Sequence, residues 1–233
     1  MKSNPNLYDD YDDLKGWNTL FQPSIQEAQL YSKEFKHIDF SDSYFLDIGF
    51  GSGGLLGWAR QQGAIVSGVE IQEKLIKEAR KAGIEVYKEL NEVPSDRYDI
   101  VTGLDLLEHL PLNEIPLFLD EIMRITKPSG VVLFRFPNCQ SSAGLINQFG
   151  DHTHITMLSG PIVLHLMKNA GFVDVFYQEG RVLGSTKLLY RVARILMKPL
   201  SFLFTSIYRV AISDSNTPLS KNVILQAKKS QQK

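Results

Sequence analysis

Leu46-Asp47-Ile48-Gly49-Phe50-Gly51-Ser52-Gly53-Gly54 decides how this chain folds. An apolar run, Tyr44-Phe45-Leu46, leads into an acid and a burst of glycines, and Leu55 to Gln62 continues with helical periodicity. Strand, glycine turn and helix start, in that order, aim backbone N–H groups at an incoming ligand. Glycine reaches left-handed dihedrals and has no Cβ to hold a ligand away. A second β-type run, Ile65-Val66-Ser67-Gly68-Val69, ends in Glu70, seventeen residues after Gly53. An acid there is placed to accept hydrogen bonds from both hydroxyls of a ribose. The expectation is a nucleoside-bearing cofactor on a doubly wound sheet.

The glycines alone admit two cofactors. Gly49-x-Gly51-x-x-Gly54 satisfies the dinucleotide fingerprint, and Gly49-x-Gly51-x-Gly53 fits the S-adenosylmethionine (SAM) pattern. Asp47 separates them, because a carboxylate two residues before the first glycine repels a pyrophosphate but attracts a ligand carrying an ammonium and a sulfonium. A glycine turn with no ligand is the bland alternative, and it leaves the glycines at this helix start unexplained.

Tyr98-Asp99-Ile100-Val101-Thr102-Gly103-Leu104-Asp105-Leu106-Leu107-Glu108-His109-Leu110 and Ile122-Met123-Arg124-Ile125-Thr126-Lys127-Pro128-Ser129-Gly130-Val131-Val132-Leu133-Phe134 extend the pattern. With the glycine loop and Glu70 they resemble the class I SAM-dependent methyltransferases over about residues 40–178. The first resembles that family's fourth strand and following turn, the second its helix, turn and fifth strand. The implied fold is α/β, a Rossmann-like doubly wound sheet of seven strands, mostly parallel with an antiparallel last strand. Two positions depart from the family. Phe50 is bulkier than the small residue usual in the loop, and Ser129 replaces a glycine of a Lys-Pro-Gly-Gly turn. Neither removes a carboxylate expected to contact the cofactor.

The chain of 233 residues carries 25 basic and 26 acidic side chains, which argues against a nucleic-acid binder that neutralises phosphates across its surface. One cysteine, Cys139, excludes an internal disulfide and a cysteine zinc site, and five histidines at scattered spacing give no metal-ligand pattern, so no metal is expected. The N-terminus has no apolar signal region, so a cytoplasmic location is expected. Residues 1–22 read as an acidic, aromatic arm; in related methyltransferases such a segment folds over the cofactor as a lid. The domain proper covers 23–233. A helix is expected over Pro23 to Phe35. Strands are expected at Tyr44–Ile48, Ile65–Val69, Ile84–Tyr87, Asp99–Gly103, Val131–Phe136, Val173–Gln178 and Val223–Ala227, with crossover helices between the parallel ones.

By resemblance, Gly49, Gly51 and Gly53 cradle the methionine part of SAM and Glu70 binds the ribose. Ile71 and Leu90 sandwich the adenine, Glu89 accepts from its amino group, and Leu104 and Asp105 face the methionine end together with Asp47. Methyl transfer to a hydroxyl also needs a group that takes its proton. Histidine titrates near neutrality, so His154 in Gly150-Asp151-His152-Thr153-His154 is the first candidate base, with Asp151 orienting it or the substrate. His109 is the second, unless it merely caps the turn after its strand. Pro137-Asn138, the Gly150–His154 stretch and Ala170-Gly171-Phe172 resemble methyltransferases encoded with bacterial surface-polysaccharide machinery.

Gly180 to Ser213 holds six basic residues and no acid. Lys187, Arg191, Arg194 and Lys198 fall on one face of a helix and Leu188, Leu189, Val192, Ile195 and Leu196 on the other. This basic amphipathic insertion, about 185–212, is expected either to contact the inner face of a membrane peripherally or to pack on the protein or a second copy as a homodimer. The expected reaction is O-methylation of a sugar hydroxyl on a lipid-linked or surface glycan. A lipophilic small molecule such as a quinone precursor is the alternative acceptor. A non-catalytic SAM-binding module and a NAD-dependent oxidoreductase are the alternatives from other classes; the oxidoreductase gives Asp47 and the Asp105–His109 segment no role.

Overall fold

The computed structural model describes residues 19–181, 188–211 and 217–231. A seven-stranded sheet runs through the molecule. Its strands are β1 (Tyr44–Ile48), β2 (Ile65–Val69), β3 (Glu85–Tyr87), β4 (Tyr98–Leu104), β5 (Thr126–Pro137), β6 (Val173–Glu179) and β7 (Asn222–Lys228). Their spatial order is β3-β2-β1-β4-β5-β7-β6. β7 pairs antiparallel with both β5 and β6, and the other pairings are parallel. The expected seven-stranded, Rossmann-like α/β sheet is therefore observed.

Helices cover both faces because the crossovers carry one apolar stripe each. α1 (Ile25–Glu34) starts in a capping box, with Ser24 and Glu27 satisfying each other's backbone N–H. α2 (Gly54–Gln61) and α3 (Glu73–Lys81) turn Leu55, Leu56, Trp58, Leu75 and Ile76 inward. α4 (Ile115–Ile125) has proline in its first turn and buries Ile115, Leu119, Ile122 and Ile125, an i, i+4, i+7 spacing that makes one continuous ridge. α5 (Ser142–Gln148) and α6 (Gly160–Asn169) follow β5. Two apolar clusters result, one on each side of the sheet, centred on Phe134 with Phe136 and on Phe45 with Trp58.

β5 begins five residues earlier than expected. Thr126 pairs with Tyr98 and the next pairing is Val131 with Ile100, so residues 127–130 form a bulge inside the strand. Ser129 sits there at φ +64, a left-handed conformation that favours glycine.

β1 and β4 are neighbours, yet the chain leaves them in opposite directions along the sheet. That switch point opens a crevice at their carboxyl ends. β6 runs with the parallel strands, so the segment after Glu179 leaves from the same edge.

The insertion departs from the expected single helix. α7 (Leu188–Leu196) ends before Met197, and α8 (Lys198–Ala211) begins with Pro199 in its first turn. Lys198 therefore belongs to a second helix and does not continue a four-cation face on the first; Lys187 lies outside the described residues. The described side chains of both helices are largely exposed, from Tyr190 and Ile195 to Phe202 and Val210. Arg209 of α8 donates to Glu179 at the end of β6 at 3.4 Å. No helix among the described residues is long and apolar enough to cross a membrane. Residues 1–18 of the N-terminal arm lie outside the described residues.

Candidate functional site: a cleft at the sheet switch point

A cleft of about 520 Å³ occupies the crevice. Its floor is the loop from Asp47 to Ser52 with Gly54 and Leu55, and one wall is Val69 to Gln72. The opposite wall is Leu104 to Leu106 with His109 and Leu110, and Tyr31 and Arg135 close the back.

The loop turns as its glycines predict: Gly49, Gly51 and Gly53 have φ of +68, +51 and +71. Gly53 caps α2, and a Cβ there would lie 2.2 Å from the Phe21 ring. Phe21 itself donates its N–H to the Ser52 carbonyl at 2.8 Å, so the residues before α1 cover this end of the loop and Gly53 is not among the lining residues. Bulky Phe50 is accommodated because β2 offers Gly68, where a Cβ would stand 2.4 Å from the Phe50 ring.

Glu70 is buried at the tip of β2. Its carboxylate accepts from the N–H groups of Gly51, Ile71 and Gln72 at 3.2, 2.8 and 3.1 Å. Burial raises its pKa, and these three hydrogen bonds partly oppose the rise. Asp47 is buried too and accepts from the Thr102 hydroxyl at 2.7 Å. Burial pushes its pKa up to about 7 despite that bond. Neither acid has an ion-pair partner among the described residues. A buried carboxylate in that state stabilises whichever cation enters beside it.

Sequence reasoning missed Arg135, the cation at the back of the cleft. It points from β5 between Asp105, at 2.5 Å, and the fully buried carboxylate of Glu34 on α1, at 3.3 Å. Asp105 has a left-handed φ of +54, which this side chain tolerates better than most. Burial pushes Glu34 up to about 7, with Arg135 pulling in the other direction. An arginine within a β-type run reads as an outward residue, and only the alternation Phe134-Arg135-Phe136 hinted at a distinct face.

Ile71, Leu104 and Asp105 line the cleft as expected; Glu89 and Leu90 do not. β3 stops at Tyr87, and the chain enters a short 3₁₀ turn, Leu90–Glu92. Arg124 donates to the Leu90 carbonyl at 2.8 Å, and the Leu90 side chain packs on the core. Glu89 is exposed and accepts from Asn91.

His109 reaches the cleft wall, whereas His154 and Asp151 stand behind it. The loop bearing them is clamped to the turn Leu107–His109, since Ile155 and Thr156 both donate to the Glu108 carbonyl, at 2.9 and 3.0 Å. The His109 and His154 rings meet edge to face, with centroids 4.7 Å apart. With this clamp His109, and not His154, is among the residues lining the cleft.

An open sheet of this order, a glycine floor with acids at the tips of β1 and β2, and a net-negative cleft define a nucleoside-cofactor fold suited to a cationic ligand. The model of a methyltransferase domain family matches residues 25–176, and the chain belongs to that family. Its expected cofactor is SAM, which Asp47, Glu70 and the Gly49–Gly51 floor fit in charge and space. Curated relatives include a "Ubiquinone biosynthesis O-methyltransferase" of Azoarcus sp. (strain BH72), 29% identical over 132 residues, 52% of this chain and 56% of the relative. A protein of the same name from Hydrogenovibrio crunogenus is 25% identical over 69% of this chain and 73% of the relative. The chain thus spans little more than half of the first relative's length. Among solved structures, a SAM-dependent methyltransferase from Archaeoglobus fulgidus superposes with a TM-score of 0.65 at 20% identity, covering 97% of this chain and 100% of its own. Haemonchus contortus phosphoethanolamine N-methyltransferase 2 gives a TM-score of 0.66 at 19% identity over 99% of this chain and 61% of that one. These similarities show the fold.

Proposed function

We propose that this chain is a SAM-dependent O-methyltransferase acting on a hydroxyl of a lipophilic small molecule of the quinone-precursor class, met at an anionic membrane surface. The observation that carries this reading is the shared edge: the cleft lies at the carboxyl ends of the parallel strands, and β6 ends at that edge in Glu179, which accepts from Arg209 of the exposed apolar helix α8. The names of the curated relatives point to the same acceptor class. Six basic residues and no acid between Gly180 and Ser213 suit anionic headgroups, and Phe202, Leu203 and Phe204 are large, exposed and apolar.

SAM supplies an electrophilic methyl group when bound. Asp47 and Glu70 hold and orient it, and the floor of the cleft leaves room for a close backbone approach. The acceptor enters over Leu106, His109 and Leu110, where the hydroxyl proton meets the histidine wall.

The test incubates the full chain with SAM and measures release of S-adenosylhomocysteine with two acceptor sets, hydroxylated polyprenyl-phenol analogues and polyprenyl-linked sugars. Turnover with the phenols, together with flotation on anionic but not neutral vesicles, supports the proposal. Turnover with the sugars alone selects the surface-glycan acceptor, and SAM binding without turnover on either set selects a non-catalytic module. A stable dimer that does not float assigns the helices to a second copy.

A further inference from the structure

Behind the cleft wall lies a cluster that methyl transfer as such does not require. Glu108 is completely buried, and both of its carboxylate oxygens lack a hydrogen-bond partner. An unpaired buried carboxylate is costly until a proton or a cation neutralises it. One oxygen of Glu108 and one nitrogen each of His109 and His154 lie within 4.8 Å of one another. His154 Nε2 is 3.9 Å from Glu108 Oε1 and also 3.9 Å from Asp151 Oδ2.

Both rings are oriented from outside the cluster. His154 Nδ1 lies 3.1 Å from the Gln148 carbonyl, which can only accept, so that nitrogen carries a proton and Nε2 offers its lone pair inward. His109 Nδ1 is likewise 3.2 Å from the Thr153 carbonyl. Asp151 is held through Oδ1 by the Thr153 N–H and hydroxyl, at 3.0 and 2.5 Å. A backbone carbonyl fixing each imidazole, and a hydrogen bond fixing the carboxylate, is the outer shell that metal-ligating residues have.

We propose that Glu108, His109 and His154 bind one divalent first-row metal ion at the edge of the cleft, with the Asp151 carboxylate beside them. Two carboxylates and two neutral imidazoles balance its charge, and mixed nitrogen and oxygen donors favour Mn²⁺, Fe²⁺, Co²⁺ or Zn²⁺ over Ca²⁺. Donors about such an ion stand roughly 3–3.5 Å apart, so the 3.9 Å separations close by about half an ångström on binding and the widest, within 4.8 Å, by about an ångström or more. His109 also lines the cleft, so the ion faces the acceptor. A hydroxyl that coordinates it loses its proton to solvent more readily and is presented as an oxyanion. This role rests on the methyltransferase reading; binding of the ion does not.

The experiment titrates Mn²⁺ and, separately, Zn²⁺ into chelator-stripped full-length protein without SAM or acceptor. Binding is read by calorimetry, by loss of the free Mn²⁺ paramagnetic signal and by the rise in Tm. The expected result is one ion per chain, with affinity reduced at least about tenfold in both Glu108→Gln and His154→Asn. His165→Asn, which alters an exposed histidine on α6, should bind like the parent. Where circular dichroism shows that Glu108→Gln does not fold, His154→Asn and His109→Asn decide. Absence of stoichiometric binding by either ion, or binding that survives in the folded variants, overturns the site whatever the enzyme assay gives.

Discussion

The two walls of the cleft are built by different physics. On the β1–β2 side, Asp47, the glycine turn and Glu70 come from short contiguous stretches, and backbone N–H groups do much of the positioning. On the β4–β5 side, Asp105, His109 and Arg135 come from separate elements and depend on ion pairs and on a loop brought in from residues 148–156. The first wall is a geometry that many sequences reproduce, which suits a common cofactor. The second is a set of individual charges that a few substitutions rearrange, which suits a variable acceptor and its chemistry.

Breaking the charged wall has the largest expected effect on stability. Arg135→Met leaves the buried Glu34 carboxylate without its guanidinium and should cost about 3 kcal/mol in urea unfolding at pH 8. The cost should shrink at pH 6, because Glu34 then takes up a proton. A pH-independent loss would mean that the pair is not what holds α1 to β5.

The cofactor wall has a smaller and opposite signature. Asp47 is raised from 3.8 to about 7 by burial, so folding favours its protonated form. That contribution is complete below about pH 4 and is lost as the pH rises through 7. Stability without ligand should therefore fall by roughly 2 kcal/mol on this account between pH 5.5 and 8. Asp47→Asn stays neutral and should lose that part of the slope; identical slopes in the two proteins would show that Asp47 does not titrate in this range. Smallest of all, Ser129→Gly relieves the left-handed serine in the β5 bulge and should raise stability by ~0.5–1 kcal/mol, with SAM affinity unaltered.

The contrast between the walls also explains what could be read in advance. Asp47, Gly49, Gly51, Glu70 and Ile71 were legible because strand, turn and acid follow one another within about 25 residues, and the pattern itself encodes the contact. The sheet was legible for the same reason, including its reversed last strand, through the resemblance. Glu34 and Arg135 were not, since their partnership spans 101 residues and leaves no periodic trace. The Glu108, His109 and His154 cluster was hidden similarly: spacing shows only scattered histidines, and it takes the Glu108 carbonyl, gripped by Ile155 and Thr156, to close the gap. Leu90 was misplaced because the chain turns into a 3₁₀ segment after β3, where Arg124 donates to the Leu90 carbonyl and draws it toward the core.

The central claim is that buried acids at the tips of β1 and β2 receive a cationic, adenosine-bearing ligand. Calorimetric titration at pH 8 of the parent and of Asp47→Asn with SAM, and of the parent with NAD, tests it most directly. The account predicts one SAM per parent chain, at least about tenfold weaker binding in the variant, which corresponds to 1.4 kcal/mol, and no heat from NAD. NAD binding in place of SAM, or equal SAM affinity in the two proteins, would contradict it.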